Sequence, residues 1–180
     1  MLFGTQRLQA ILLTESTAEQ LSFYYTCNDE HLQPWEPLRP SDYHSVEAWT
    51  KRRREFEEEH GKEISLRILA LFPNEEKIVG ACNFTNISRG PFQACNLGYS
   101  ISKEHTGKGL MTEFVEGAIN YVFERLDLHR IMANYMPGNT RSARVLDKLG
   151  FNKEGFAKSY LKIAGEWQDH VLTAKINPNH

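Results

Sequence analysis

The spacing of apolar residues changes character several times along this chain. The run "LQAILLT" (Leu8 to Thr14) is short and nearly continuous, which predicts a first strand. "STAEQLSFYYTC" reads as a helix, with Ser16 and Glu19 spaced as a capping box. "HLQPWEPLRP" holds three prolines and predicts an ordered loop. A second helix is expected over "SDYHSVEAWTKRRREFEEEHG", capped near Ser41 and stopped at Gly61. "EISLRILALF", "KIVGACNFTNI" and "FQACNLGYSI" read as three strands joined by the turns "PNEE" and "SRGP". Leu110, Phe114, Ala118, Val122 and Leu126 then recur every four residues, and Met111, Val115 and Ile119 widen that face into a well-buried helix. "HRIMANYM" predicts a strand ended by Pro137. "NTRSARVLDKLG" predicts a helix capped at Asn139 or Thr140 and closed by Gly150 and Phe151 as a Schellman stop. "FAKSYLKI" and "WQDHVLTAKI" form a final hairpin around "AGE". This order predicts an α/β (α+β) fold: a mixed, mostly antiparallel central sheet flanked by helices, in one domain over residues 1–180.

Charge narrows the partners. A formal net charge of -2 argues against a duplex-binding protein, which carries a positive excess, so direct DNA binding is not expected. The basic run Lys51 to Arg54 is followed by Glu57 to Glu59, and on a helix these pair across turns as a solvated face. Three cysteines without a CxxC suggest neither a disulfide framework nor a zinc site, and the histidines are too scattered for a metal. Cys82 and Cys95 fall in strand-like runs and are expected in the core. No signal peptide and no membrane-length apolar run is found, so the expected setting is the reduced cytoplasm, with no membrane partner.

One stretch asks for a ligand. "HTGKGLMTEFVEGAI" (His105 to Ile119) places two glycines between the strand "NLGYSI" and a helix. A P-loop would need glycine at Ser102 and Ser or Thr at Gly109; a dinucleotide fingerprint would need glycine at Thr112. A bare GxG at a strand-to-helix junction remains. It is either a packing turn or an anion site, where glycine-permitted backbone turns aim N–H groups at one point and the helix terminus adds partial positive charge. Lys103 and Lys108 add formal charge nearby.

"GYSISKEHTGKGLMTEFV" and "HRIMANYMPGNTRSARVLDKLGFNKEG" resemble the GCN5-related N-acetyltransferase (GNAT) superfamily. Gly107 and Gly109 match the glycines of its Q/R-x-x-G-x-G/A loop, and Glu104 stands where Gln or Arg is usual. Asn139 to Ser142 match N-x-x-S/A, and Leu149 to Phe151 match "LGF". Across nearly the whole chain, "HLQPWEPLR", "RGPFQACNLGYSI", "GKGLM" and "WQDHVLTA" resemble the RimJ-type ribosomal-protein alanine N-acetyltransferases. The resemblance implies a GNAT acyl-CoA N-acyltransferase fold with splayed fourth and fifth strands. It implies direct acetyl transfer from acetyl-CoA, without an acyl-enzyme, to the N-terminal alanine of a small-subunit ribosomal protein, with the ribosome itself as a partner. A small-molecule amine acetyltransferase and a ribosome-assembly factor that binds acetyl-CoA are the rival readings.

Site residues follow from the same resemblance. The pyrophosphate is expected on N–H groups of His105, Thr106, Gly107, Lys108, Gly109 and Leu110, with Met111 beside them. Pantetheine is expected along Ser100 and Ile101, with contacts from Asn139 and Ser142, a bulge at Gly98, and an oxyanion donor at the Ile101 N–H. Ser142 is the expected proton donor to the departing thiolate, since a tyrosine used by many relatives falls at Leu146. Carboxylate bases of relatives fall at Asn134 and Leu161, which leaves Glu36 as the candidate base. Trp35, Glu36, Tyr135 and Met136 are expected to line the acceptor pocket, with one of Tyr135 and Met136 turned into the core, and Asp169 to serve as a structural hydrogen-bond acceptor.

Overall fold

The computed structural model describes residues 1–180. Eight strands form one sheet: β1 (Phe3–Gly4), β2 (Gln9–Leu12), β3 (Leu66–Leu71), β4 (Ile78–Ser88), β5 (Ala94–Ile101), β6 (Arg130–Met132), β7 (Asn152–Ile163) and β8 (Glu166–Ile176). Their spatial order is β1-β2-β3-β4-β5-β6-β8-β7. All neighbours are antiparallel except β5 and β6, which run parallel. A parallel pair needs a crossover, and helix α3 (Leu110–Leu126) supplies it. Helices α1 (Ala18–Leu32) and α2 (Val46–Gly61) precede β3; α4 (Thr140–Lys148) lies between β6 and β7.

The sheet buries both faces. On one side, Phe114, Val115, Ala118, Ile119 and Val122 of α3 pack with Ile68, Phe84 and Cys95 in the larger core cluster. On the other, Leu21, Tyr24 and Tyr25 of α1 and Trp49 of α2 pack against Leu69 and Ala81. Successive residues of β3 therefore feed opposite cores, as a two-residue period requires.

Local signals hold with small shifts. The α1 capping box is built by Thr17 and Gln20 rather than Ser16 and Glu19, because the helix begins at Ala18; Ser16 lies one residue before the cap and donates its hydroxyl to the Leu13 carbonyl at 2.7 Å. Helix α2 starts at Val46, not near Ser41: residues 40–45 form turns, and the Ser45 hydroxyl accepts the Ala48 N–H at 3.1 Å. Its basic run does not pair with Glu57 to Glu59 as expected, and Glu59 binds Arg67 and Ser65 instead. Arg52 stacks on Tyr43 and Trp49, Arg53 donates to the Thr14 carbonyl, and Lys51 faces Glu55. The Schellman stop after α4 is complete, with Phe151 N–H on the Leu146 carbonyl and Gly150 N–H on that of Asp147. Cys82 and Cys95 are fully buried.

Two expectations need correction. The strand read through "HRIMANYM" pairs regularly only over Arg130–Met132, followed by one isolated bridge from Tyr135 to Val171. No bulge occurs at Gly98, which pairs in register with Asn83. The parting of β5 from β6 comes instead from the early end of β6: their pairing stops at Asn96–Met132.

Candidate active site

Where β6 ends, β5 continues alone on that side. The Ser102 N–H bonds the Val79 carbonyl on β4, while the Gln93 carbonyl receives N–H groups of His129 and Arg130 on the opposite side. Antiparallel alternation then turns the amides and carbonyls of Tyr99 and Ile101 away from β4, into the gap. A cleft of about 840 Å³ opens there, between β5 on one wall and the segment Ala133–Met136 with α4 on the other.

The glycine loop closes one end of the cleft. Gly107 and Gly109 have φ of 76° and 78°, the left-handed region that side chains with a Cβ resist. A 3-10 turn over Lys103–His105 leads into them, and α3 begins directly after. The first backbone bond of α3 is Glu113 N–H to the Gly109 carbonyl, so the N–H groups from Gly107 to Thr112 have no partner within the protein. The loop is braced from outside. Arg7 donates to the Lys108 carbonyl at 3.0 Å and to Glu113 at 2.7 Å, and Thr5 donates to Glu113 at 2.6 Å. These bonds and Arg7's charge hold the Glu113 carboxyl below its usual range against the opposing desolvation. They also engage the only acidic side chain in the first turn of α3.

His105, Thr106, Gly107, Gly109 and Met111 line the cleft, together with Ser100, Ile101, Asn139 and Ser142. Lys108 and Leu110 are not among the residues that line it. The Leu110 side chain is buried in the core, and that of Lys108 points off beside His105. Glu104 does not line the cleft, and its carboxylate pairs with Lys77 at 2.6 Å. Asn139 caps α4, its Oδ1 accepting the Ser142 N–H at 3.0 Å. That cap fixes Ser142 in the first turn of α4, where its Oγ lies 2.8 Å from the Tyr99 hydroxyl. Ser100, on the opposite face of β5, meets the buried Tyr24 hydroxyl at 3.0 Å.

The far end of the cleft is built by the proline-rich loop and the last hairpin. Pro34 opens a 3-10 turn over Gln33–Trp35, and the Glu36 N–H closes it on the Gln33 carbonyl. The Glu36 carbonyl accepts the Ala164 N–H at 2.9 Å, tying this loop to the two-residue turn Ala164–Gly165 of the β7–β8 hairpin. Trp35, Glu36, Tyr135 and Met136 all reach the cleft. Tyr135 also packs on the larger core, as expected for one of that pair, yet because regular β6 has ended it keeps its access. Burial, opposed by Arg39, raises the Glu36 carboxyl above the usual range.

Sequence reasoning missed several groups. His31, at the polar end of α1, lines the cleft; burial and then the Arg141 charge push its imidazole down, against a hydrogen bond to the Ile101 backbone. Arg141, Arg144 and Lys148 repeat every three or four residues on α4 and line the same wall, a helical spacing visible in the sequence. Buried His170 lines it too, with Nδ1 3.1 Å from the Gln168 carbonyl. Asn134 reaches the cleft while its Oδ1 accepts the Thr173 N–H. Asp169 accepts the Ser159 N–H at 2.8 Å beside a register shift of the hairpin, the structural role expected of it.

The family model described as an acetyltransferase (GNAT) domain matches residues 7–152. The chain is 47% identical over 176 residues to ribosomal protein uS5-alanine N-acetyltransferase of Escherichia coli (strain K12), covering 97% of this chain and 90% of that protein. It is similar in structure to ribosomal-protein-S5-alanine acetyltransferase from Vibrio fischeri, with a TM-score of 0.93 at 42% identity over 98% of this chain and 97% of that one. Mycobacterium smegmatis RimJ, in complex with CoA-disulfide, matches at a TM-score of 0.86 and 29% identity over 96% and 82% of the two chains. The chain belongs to the GNAT acetyltransferase family.

Proposed function

From that membership we propose that the chain, as one N-acetyltransferase domain over residues 1–180, transfers acetyl from acetyl-CoA to the α-amine of an N-terminal alanine on a small-subunit ribosomal protein. The observation that carries this reading is the cleft itself. It offers unpartnered N–H groups from Gly107 to Thr112 at one end, the N–H groups of Tyr99 and Ile101 facing it along one wall, and an aromatic and carboxylate pocket at the other end. Those features fit a pyrophosphate, an extended amide-bearing arm and a peptide terminus in that order. Similarity over nearly the full length to two uS5-alanine acetyltransferases supports the choice of acceptor. The ribosome as partner and the cytoplasm as setting follow from the same reading.

Acetyl-CoA supplies a thioester whose carbonyl carbon the amine attacks. The N–C bond forms and the C–S bond breaks, with its electron pair going to sulfur. Glu36, whose carboxyl burial raises above its usual range, takes the proton from the amine and later releases it to water. The Ile101 N–H stabilises the carbonyl oxygen, and Ser142 gives its hydroxyl proton to sulfur and is reprotonated from water. The base need not be strong. At pH 7 about a tenth of α-amines are neutral, against fewer than about one lysine in a thousand.

The test is incubation with acetyl-CoA and a peptide that begins with alanine and contains internal lysines. Mass spectrometry is expected to place the acetyl group on the α-amine and to leave the lysines unmodified at neutral pH. Acetyl found mainly on lysine, or transferred only to small amines such as spermidine, overturns the reading.

A further inference from the structure

Tyr99 and Ser142 meet at the rim of the cleft, one on β5 and the other on α4. The phenol oxygen lies 2.8 Å from Ser142 Oγ and 3.2 Å from the Ser142 carbonyl oxygen. Two hydroxyl protons serve this cluster, one from each residue. Burial pushes the Tyr99 phenol far above its ordinary range, with the Ser142 hydrogen bond opposing, so the proton stays on Tyr99 at working pH. Two arrangements satisfy the distances. In the first, Tyr99 donates to the Ser142 carbonyl and Ser142 donates to Tyr99, which consumes both protons. In the second, Tyr99 donates to Ser142 Oγ and the serine proton is left to point into the cleft, which both residues line. Rotation of the two hydroxyls alone separates them. A serine oxygen that already accepts a hydrogen bond is polarised and donates more strongly, so negative charge in the cleft selects the second arrangement.

We propose that Tyr99 is a positioning residue for Ser142: its phenol holds the serine oxygen so that the serine proton faces the sulfur of the cosubstrate. This rests on the reading of Ser142 as the proton donor. The carbonyl at 3.2 Å gives the phenol a resting acceptor, so the free enzyme pays little for storing the donor. A tyrosine that only tied β5 to α4 would act alike on every state of the bound molecule, whereas a tyrosine acting through Ser142 matters most when the sulfur is charged.

The experiment is calorimetric titration of the full chain with free coenzyme A across the ionisation of its thiol, for wild type, Tyr99→Phe, Ser142→Ala and the double variant. The other ionisable groups of the cleft are the same in all four proteins, so their titration cancels in the comparison. Each single variant is expected to weaken binding of the thiolate form by about tenfold, as loss of a hydrogen bond to a charged group does, and to leave the thiol form within about twofold. The double variant is expected to match Ser142→Ala, because Tyr99 has nothing left to act through. In turnover of the alanine peptide, Tyr99→Phe should lower kcat with KM for acetyl-CoA little changed. A Tyr99→Phe variant with wild-type thiolate affinity, beside a Ser142→Ala variant that loses it, overturns the role of Tyr99 and leaves Ser142 as donor. Losses that multiply in the double variant, or fall equally on thiol and thiolate, make Tyr99 a packing residue and overturn it too. A Ser142→Ala variant with wild-type thiolate affinity and turnover removes the donor reading, and the Tyr99 inference with it.

Discussion

Glu36 illustrates how much of a residue's chemistry is set by what surrounds it. In the sequence it is one acid among 23 Asp and Glu, singled out because Asn134 and Leu161 occupy the places where relatives keep a base. In the folded chain it faces the cleft, and its carbonyl is bonded to the hairpin turn. Burial raises its carboxyl above the ordinary 4.5, with Arg39 opposing and Asp29 adding to the shift. Two consequences can be measured. As base it works only when ionised, so the acidic limb of kcat/KM should lie above the ordinary glutamate range. Glu36→Gln should remove that limb and lower kcat/KM by about a hundredfold. The stability effect has the opposite sign. A carboxyl raised in the folded state favours folding below its unfolded pKa, and that contribution is lost as pH rises through the folded value. Glu36→Gln should therefore raise the melting temperature at pH 7 relative to wild type, with the gain shrinking as the pH falls through the raised folded value toward 4.5 and vanishing below it. Unchanged pH profiles of both activity and melting would remove Glu36 from the mechanism.

At the scale of elements, the junction of β5 and α3 does the most with the fewest residues. Two left-handed glycines turn the chain, Arg7 and Thr5 anchor it from β1 and β2's connection, and six N–H groups are left facing outward. A Cβ at Gly107 would meet no neighbour within 4 Å, and one at Gly109 would touch only the Arg7 guanidinium at 3.5 Å. Space is thus no obstacle to substitution in the free protein. The obstacles are the positive φ and the ligand that approaches the backbone. Gly107→Val and Gly109→Val should each raise KM for acetyl-CoA by about tenfold or more, since strain of about 1–3 kcal/mol is added at each. Equal acetyl-CoA affinity of both variants and wild type by calorimetry would reduce the loop to a packing turn. This junction was legible because its signals are local: a glycine pair, then an apolar face repeating every four residues from Leu110 to Val122. The Schellman stop at Gly150 was legible for the same reason. What stayed hidden depends on long-range contacts. Nothing in "HRIMANYM" says that pairing stops at Met132, and nothing near Ser142 in sequence announces Tyr99, 43 residues earlier. His31 sits in a polar stretch like any solvated helix end until β5 is laid beside it.

Over the whole molecule, the sheet is continuous except along one seam. β1 to β5 are laced by antiparallel ladders, and β6, β8 and β7 form a second laced unit. Only three residue pairs, from Ala94–Arg130 to Asn96–Met132, join the two through strand pairing, with α3 and the larger core holding them together behind. A sheet parted this way leaves backbone groups that ordinary packing would satisfy, which is costly unless something else pairs with them. An extended arm carrying amides can do so as an added strand. Amide hydrogen exchange tests this residue by residue. In the free protein, the amides of Tyr99 and Ile101, which face the seam, should exchange faster than those of Gly98 and Ser100, which face β4. Coenzyme A at about 100 times its Kd should slow Tyr99 and Ile101 by about a hundredfold, because opening then competes with a bound partner. Gly98 and Ser100, already paired, should slow less. Protection that rises equally at all four residues would mean that the ligand tightens the whole sheet rather than completing it. Protection confined to Gly107–Thr112 would mean that the loop alone holds the cosubstrate and the seam stays open to water.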